Sequence, residues 1–252
     1  MQERGSTGTG NAARYALIAA LVIIAAGAGW VSAQLFSGSA VSSNDRKAIE
    51  TVVHDYIMDN PEIIPDAIEE LQRRENAKQL ASVGSDVHAP FPGAVLGNPK
   101  GTVTLVEFSD FACGYCRKSV DDIDALIAKN PDLRIVIREL PILSEHSVAA
   151  ARMALAAAEQ GRYGQFHRAM FAAGRPGPDT VDAAARRAGL DMAKAQAAAK
   201  SERVQQELDR NLGFARQLGF NGTPSWVAGD QLISGAVGAD ELAKAIEKVR
   251  GG

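Results

Sequence analysis

Glu107-Phe108-Ser109-Asp110-Phe111-Ala112-Cys113-Gly114-Tyr115-Cys116 decides the reading of this chain. It closes a run rich in β-branched residues, Thr102 to Phe108, and opens a helical pattern from Cys113 to about Lys129. A second such run follows at Leu133 to Leu140 (Leu-Arg-Ile-Val-Ile-Arg-Glu-Leu). Strand, helix and strand of these lengths predict a βαβ unit. A cysteine in the first turn of a helix faces unpaired backbone N–H groups and the positive end of the helix dipole, which favour thiolate over thiol. The i, i+3 spacing puts both sulfurs on one side of that turn, within disulfide reach. Cys113 is then the attacking sulfur, and Cys116, one turn deeper, resolves the mixed disulfide. A structural disulfide closing so short a loop would gain little. A zinc site needs two more ligands, and His54, His88, His146 and His167 show no ligand-like pairing.

Working outward, composition narrows the class. The 252 residues carry 27 Lys plus Arg against 30 Asp plus Glu, a net charge of −3. A balance this even argues against a nucleic-acid partner, which calls for a basic face. An apolar fraction of 46% with 23% charged residues is ordinary for a globular chain. The two cysteines are the only ones, so there is no disulfide framework. At the N-terminus, Arg4 and Arg14 precede an uncharged run from Tyr15 to Phe36. That order is the mark of a secretory signal or a signal anchor. Val31-Ser32-Ala33 offers a small-residue cleavage site near Ala33, while the run is about long enough to span a bilayer. Both readings export the rest of the chain to an oxidising compartment, where a cysteine pair persists as a disulfide.

Between the N-terminal run and the cysteines lie two helical patterns. Ile49, Val52, Val53, Tyr56 and Ile57 recur at helical spacing, Asn60-Pro61 ends that helix, and Ile64, Ala67, Ile68 and Leu71 line a second one, to about Ala81. These helices are too small to bury their stripe alone. Either it packs on the main domain or it self-associates. Beyond the second strand, Glu145 to Leu218 is helical and Ala-rich, with glycines at the expected helix ends, and predicts four or five short helices. Ser225 to Ala228 and Gln231 to Ser234 read as a hairpin around Gly229-Asp230, and Asp240 to Arg250 as a last amphipathic helix.

The decisive stretch resembles the active-site segment of DsbA-like thiol–disulfide oxidoreductases, over roughly residues 90–250. The resemblance implies an α/β chain: a thioredoxin fold with an inserted helical subdomain, here about 145–218, preceded by an N-terminal helical segment. Asn221-Gly222-Thr223-Pro224-Ser225-Trp226 resembles the family's cis-proline loop, which lies beside the active-site cysteines and offers backbone to an extended substrate. Thr223 and Pro224 are the substrate-binding candidates it implies; Tyr115, between the cysteines, is expected to face the substrate, its aromatic body suiting an apolar unfolded chain. A trans proline opening an edge strand is the bland alternative. Glu107, six residues before Cys113, matches an acidic residue that exchanges a proton with the second cysteine. Strand alternation alone allows it to point inward, with a raised pKa, or outward into solvent. Asp110 is expected to cap the turn before the helix, and Trp226 to be core.

Ile49-Glu50 through Leu71, including Asp59-Asn60-Pro61-Glu62-Ile63-Ile64-Pro65, resembles the N-terminal region of ScsC-type proteins, some of which trimerise through it and act as isomerases. The layout implied is a signal peptide or membrane anchor at 1–36, a linker at 37–44, a helical oligomerisation segment at 45–82, a linker at 83–101 and the catalytic domain at 102–252. Tyr115 stands where oxidase-type sites carry His, whose positive charge would stabilise the thiolate further, so a less oxidising, isomerase or reductase couple is expected. The partners implied are unfolded or misfolded exported proteins, a membrane redox partner and further copies of this chain. No cofactor is implied. Two alternatives stand beside this reading: a disulfide-donating oxidase, and a copper-binding or chaperone-like protein using the same soft thiolates.

Overall fold

The computed structural model describes residues 9–36 and 42–251. Arg4 and most of the expected linker at 37–44 lie outside them. The chain divides into a first compact unit ending at Pro65 and a second beginning at Asp66. In the first, helix α1 (Thr9–Phe36) is apolar from Ala16 to Trp30, and Leu17, Ile18 and Leu21 to Ile24 are exposed. Among the described residues, no helix is long and apolar enough to cross a membrane. Helix α2 (Ser43–Asp59) starts because the Ser42 hydroxyl accepts from the Asp45 N–H at 3.1 Å, and its first residues take up the end of the expected linker. It stops at Asn60, whose side-chain amide donates to the Tyr56 carbonyl at 2.9 Å. Helix α3 (Ile63–Val83) begins in the first unit, with Pro65 in its first turn, where no intrahelical donor is lost, and from Asp66 onward belongs to the second. Ile49, Val52, Val53, Tyr56, Ile64, Ile68 and Leu71 are all about half exposed or more.

In the second unit, residues 83–101 are not a linker, which corrects the expectation for that segment. They form a 3-10 turn (Gly84–His88) and strand β1 (Val95–Gly97), and Val83, Val87, Phe91, Ala94 and Leu96 are buried. The segment reads as a linker because glycine and proline mark turns. Here those turns seat buried apolar residues between them. Gly97 is required: its φ is +75°, and a Cβ there would lie 2.6 Å from the Leu133 carbonyl oxygen.

Strand β2 (Val103–Ser109), helix α4 (Gly114–Lys129) and strand β3 (Leu133–Glu139) make the expected βαβ unit, with β2 and β3 parallel and Glu107 level with Ile137. Helices α5 (Glu145–Glu159), α6 (Tyr163–Ala173), α7 (Pro178–Arg187), α8 (Met192–Ala199) and α9 (Glu202–Gln217) form the insertion. Strands β4 (Ser225–Ala228) and β5 (Gln231–Ser234) make the hairpin, and α10 (Gly238–Gly251) closes the chain. The sheet order is β1-β3-β2-β4-β5, so β2 and β3 are central. A central strand buried on both faces reads as a near-continuous apolar run, as β2 and β3 do.

The two faces carry two cores. Leu105, Ile135 and Ile137 pack with Phe111, Ile123 of α4, Ala154 of α5 and Phe166 of α6. Val106, Phe108 and Val136 pack on the other face with Val83, Val87, Phe214 and Phe220. Arg138 pins that second face. It is 1% exposed, pairs with Glu207 of α9 at 2.7 Å and donates to the carbonyls of Asp86, Val87 and Ala89. One guanidinium thus ties β3 to α9 and to the segment ahead of β1.

Candidate active site

The site forms where the carboxyl end of β2 meets the first turn of α4. Cys113 is the N-cap of α4: its sulfur accepts from the Cys116 N–H at 3.4 Å. Asp110 caps the turn before the helix, as expected, and reaches further. Its carboxylate accepts from the Ala112 N–H at 2.8 Å and from the Ile142 and Leu143 N–H groups, both at 2.9 Å. It therefore clamps the loop before α4 to the loop after β3, and leaves the helix cap to the sulfur.

The Thr223–Pro224 bond is cis. The Thr223 carbonyl lies 3.2 Å from Cys113 Sγ and accepts from it while the thiol is protonated. The Thr223 hydroxyl is buried with no partner in this state. When Cys113 ionises, that hydroxyl is available as a donor to the thiolate. Hydrogen bonding by the Cys116 thiol, then by Thr223 and by the backbone N–H groups of Cys116 and Tyr115, holds the Cys113 thiol down to about 5, against the opposing effect of burial. Cys116, 1% exposed, is pushed up first by burial, then by its hydrogen bond to Cys113 and by the charge of Glu107. The two sulfurs are free, in the dithiol state, with their acidities driven apart. One is a nucleophile at neutral pH and the other holds its proton until something removes it.

Glu107 points inward. It is 1% exposed and shares the face of Leu105, beneath the cysteines. Burial raises its carboxyl to about 8; the Cys113 charge adds to that, and Ser109 opposes it. Tyr115 is 63% exposed beside the cysteines, with Lys118 Nζ 5.7 Å from its ring. Ile142 and Leu143, on the loop that Asp110 clamps, are exposed as well. Trp226 is fully buried opposite Glu107 on β4, and its indole donates to the Gly235 carbonyl at 3.0 Å.

The structure thus brings Glu107, Cys113, Cys116, Thr223 and Pro224 to one place, with Tyr115 at its rim. Sequence reasoning missed three groups beside them. Ser109 is buried two residues past Glu107 on the same face. Glu139, also buried, accepts from the Tyr163 hydroxyl at 2.6 Å, and burial raises the pKa of both. His167, buried next to Phe111 and Phe171, is lowered to about 4 by burial and is neutral at pH 7. Strand period is the signal that could have found Ser109, two residues past Glu107. Nothing in the chain order signalled Tyr163, which reaches the site only because α6 packs under β3.

Comparisons with known proteins follow this geometry. A DSBA-like thioredoxin domain model matches residues 104–247, more than half of the chain, and a copper resistance protein ScsC N-terminal domain model matches residues 45–78. A solved thioredoxin-like oxidoreductase from Silicibacter pomeroyi is 39% identical, with a TM-score of 0.62, covering 67% of this chain and 98% of that one. A periplasmic thioredoxin-like protein from Salmonella enterica serovar Typhimurium is 26% identical, with a TM-score of 0.61, covering 68% and 97%. Among curated proteins, a Na(+)/H(+) antiporter NhaA from Herminiimonas arsenicoxydans is 30% identical over 63% of this chain and 26% of its own. The chain spans about a quarter of the length of such relatives.

Proposed function

The chain belongs to the DSBA-like thioredoxin family of thiol–disulfide oxidoreductases, and we propose that it acts in the periplasm on disulfides of exported proteins, as an isomerase or reductase. The observation that carries the thiol–disulfide chemistry is the placement of its sulfurs: Cys113 caps α4 with its sulfur 3.2 Å from the Thr223 carbonyl, and Cys116 is buried one turn deeper. In the proposed reaction the Cys113 thiolate attacks a substrate disulfide and forms a mixed disulfide. In shuffling, the substrate's freed thiolate attacks another of the substrate's disulfides and expels a new thiolate, which attacks the substrate sulfur of the mixed disulfide and displaces Cys113 as a thiolate. In reduction, Cys116 attacks Cys113, forms the Cys113–Cys116 disulfide and releases the substrate thiol. A membrane redox partner then returns the pair to the dithiol.

Three features support this direction. The thiolate is held by uncharged donors, with Tyr115 and no imidazolium between the cysteines, so the dithiol is stabilised less than in a strong oxidase. The match to the ScsC N-terminal domain, together with the exposed apolar stripe of α2 and α3, supports self-association through residues 45–82. Several active sites around one bound chain would allow repeated attack. The charged N-terminus before an apolar helix supports export, and fractionation of cells decides between release near Ala33 and tethering.

Trapping tests the reading. Cys116→Ser should accumulate mixed disulfides with periplasmic proteins that carry disulfides, while Cys113→Ser should trap none. If the native chain binds Cu(I), and Cys113→Ser loses only that binding with no disulfide turnover to lose, the copper-handling reading replaces this one.

A further inference from the structure

At the carboxyl ends of β2 and β3, the face that carries the main core turns polar. Leu105, Glu107 and Ser109 alternate onto one face of β2, and Ile135, Ile137 and Glu139 onto the same face of β3, where Ser109 stands level with Glu139. Glu107, Ser109 and Glu139 are each no more than 2% exposed. Glu139 has its partner in Tyr163. Glu107 Oε2 and Ser109 Oγ have none. Neighbouring buried polar atoms left open cost free energy, and such a pair needs a physical account. Ser109 follows Glu107 on one face of β2, at the strand end that leads into the cysteine turn. A hydroxyl can accept one proton while it gives up another. Hydrogen bonds that work in catalysis are often open in the free enzyme and close only in the complex.

We propose that Ser109 is the proton bridge between the Cys116 thiol and the Glu107 carboxylate during resolution of the mixed disulfide. The proposal rests on the thiol–disulfide reading of the site. Cys116 gives its proton to Ser109 Oγ as the serine passes its own to the Glu107 carboxylate. The Cys116 sulfur then attacks Cys113 Sγ, a Cys113–Cys116 bond forms, and the bond from Cys113 to the substrate sulfur breaks. The substrate leaves as a thiolate with the electron pair and takes a proton from water. Besides Cys116, the titratable groups around this bridge are Cys113 at the cap of α4, Asp110 in the loop before it, Glu139 on β3 and Tyr163 on α6; β4 places Trp226 opposite Glu107.

Stopped-flow mixing of the full-length dithiol protein with the aromatic disulfide dithiobis-nitrobenzoate reads the two steps separately. The first thionitrobenzoate is released by attack of Cys113, the second by attack of Cys116. Across pH 5 to 10, the second step of the native protein should accelerate as Glu107 becomes the ionised acceptor, at a pH below its dithiol value of about 8, because the mixed disulfide removes the Cys113 charge. Ser109→Ala should slow it about tenfold at pH 7 and remove that inflection, with the first step unchanged. Ser109→Thr, which keeps the hydroxyl, should restore both. Should Ser109→Ala not fold, Ser109→Thr against Ser109→Val makes the same comparison at equal shape. Identical second-step profiles with and without the hydroxyl overturn the bridge, as does equal slowing of both steps. Absence of the first step in the native protein overturns the functional reading itself.

Discussion

At the scale of single residues, the site depends on three ionisable groups whose environments pull them apart. Thiolate absorbance of the reduced protein should show one transition near pH 5, from Cys113, and Cys116 should stay protonated and resist alkylation through neutral pH. Thr223→Val removes a hydroxyl donor and should move the Cys113 transition upward by about one unit, the scale of one hydrogen bond to a charged group. The same shifts govern stability. Glu107 titrates at about 8 in the folded chain against about 4.5 when unfolded, so the folded state holds the extra proton between those values, and stability is lost as pH rises through that window. Cys113 does the reverse: its folded value of about 5 lies below the unfolded 9, so stability is gained from pH 5 to 9. The Glu107 shift is worth on the order of 5 kcal/mol, and the Cys113 shift opposes it. Relative to the native protein, Glu107→Gln should therefore gain stability as pH rises from 5 to 8 in urea titrations. A variant curve that runs parallel to the native one would contradict the inward, proton-holding Glu107.

At the scale of elements, what could be read in advance follows from period. The β2-α4-β3 unit, the hairpin and the insertion α5–α9 were readable because apolar period and capping residues agreed along them. Glu107 was ambiguous because a one-residue shift in facing reverses an alternating strand. The segment 83–101 was misread because its burial comes from contacts distant in sequence, chiefly Arg138 donating to the carbonyls of Asp86, Val87 and Ala89. Arg138→Ala leaves Glu207 buried without its partner and frees those carbonyls. It should cost about 3–5 kcal/mol in urea unfolding and speed hydrogen exchange first at 84–90. A loss below about 1 kcal/mol would show that apolar packing of Val83 and Val87 alone holds the segment.

At the scale of the whole molecule, the catalytic unit and the exposed stripe of α2 and α3 ask different things of the chain. The dithiol is sufficient for single exchanges. Shuffling of a misfolded substrate gains from several dithiols held together, and the stripe is where copies of the chain are proposed to meet. Val52 and Val53 are both exposed, so Val52→Asp with Val53→Asp removes apolar surface without opening a core. By sedimentation, the double variant should run as a monomer and the native protein as an oligomer.

The most direct measurement is recovery of activity from ribonuclease with scrambled disulfides, catalysed by the native protein and by the Val52→Asp, Val53→Asp variant. The native protein should restore activity catalytically, and the variant about tenfold more slowly or worse, with Cys113 still reactive in both. If neither restores activity, and both rapidly oxidise reduced ribonuclease, the chain is a disulfide donor and the account of its direction is wrong.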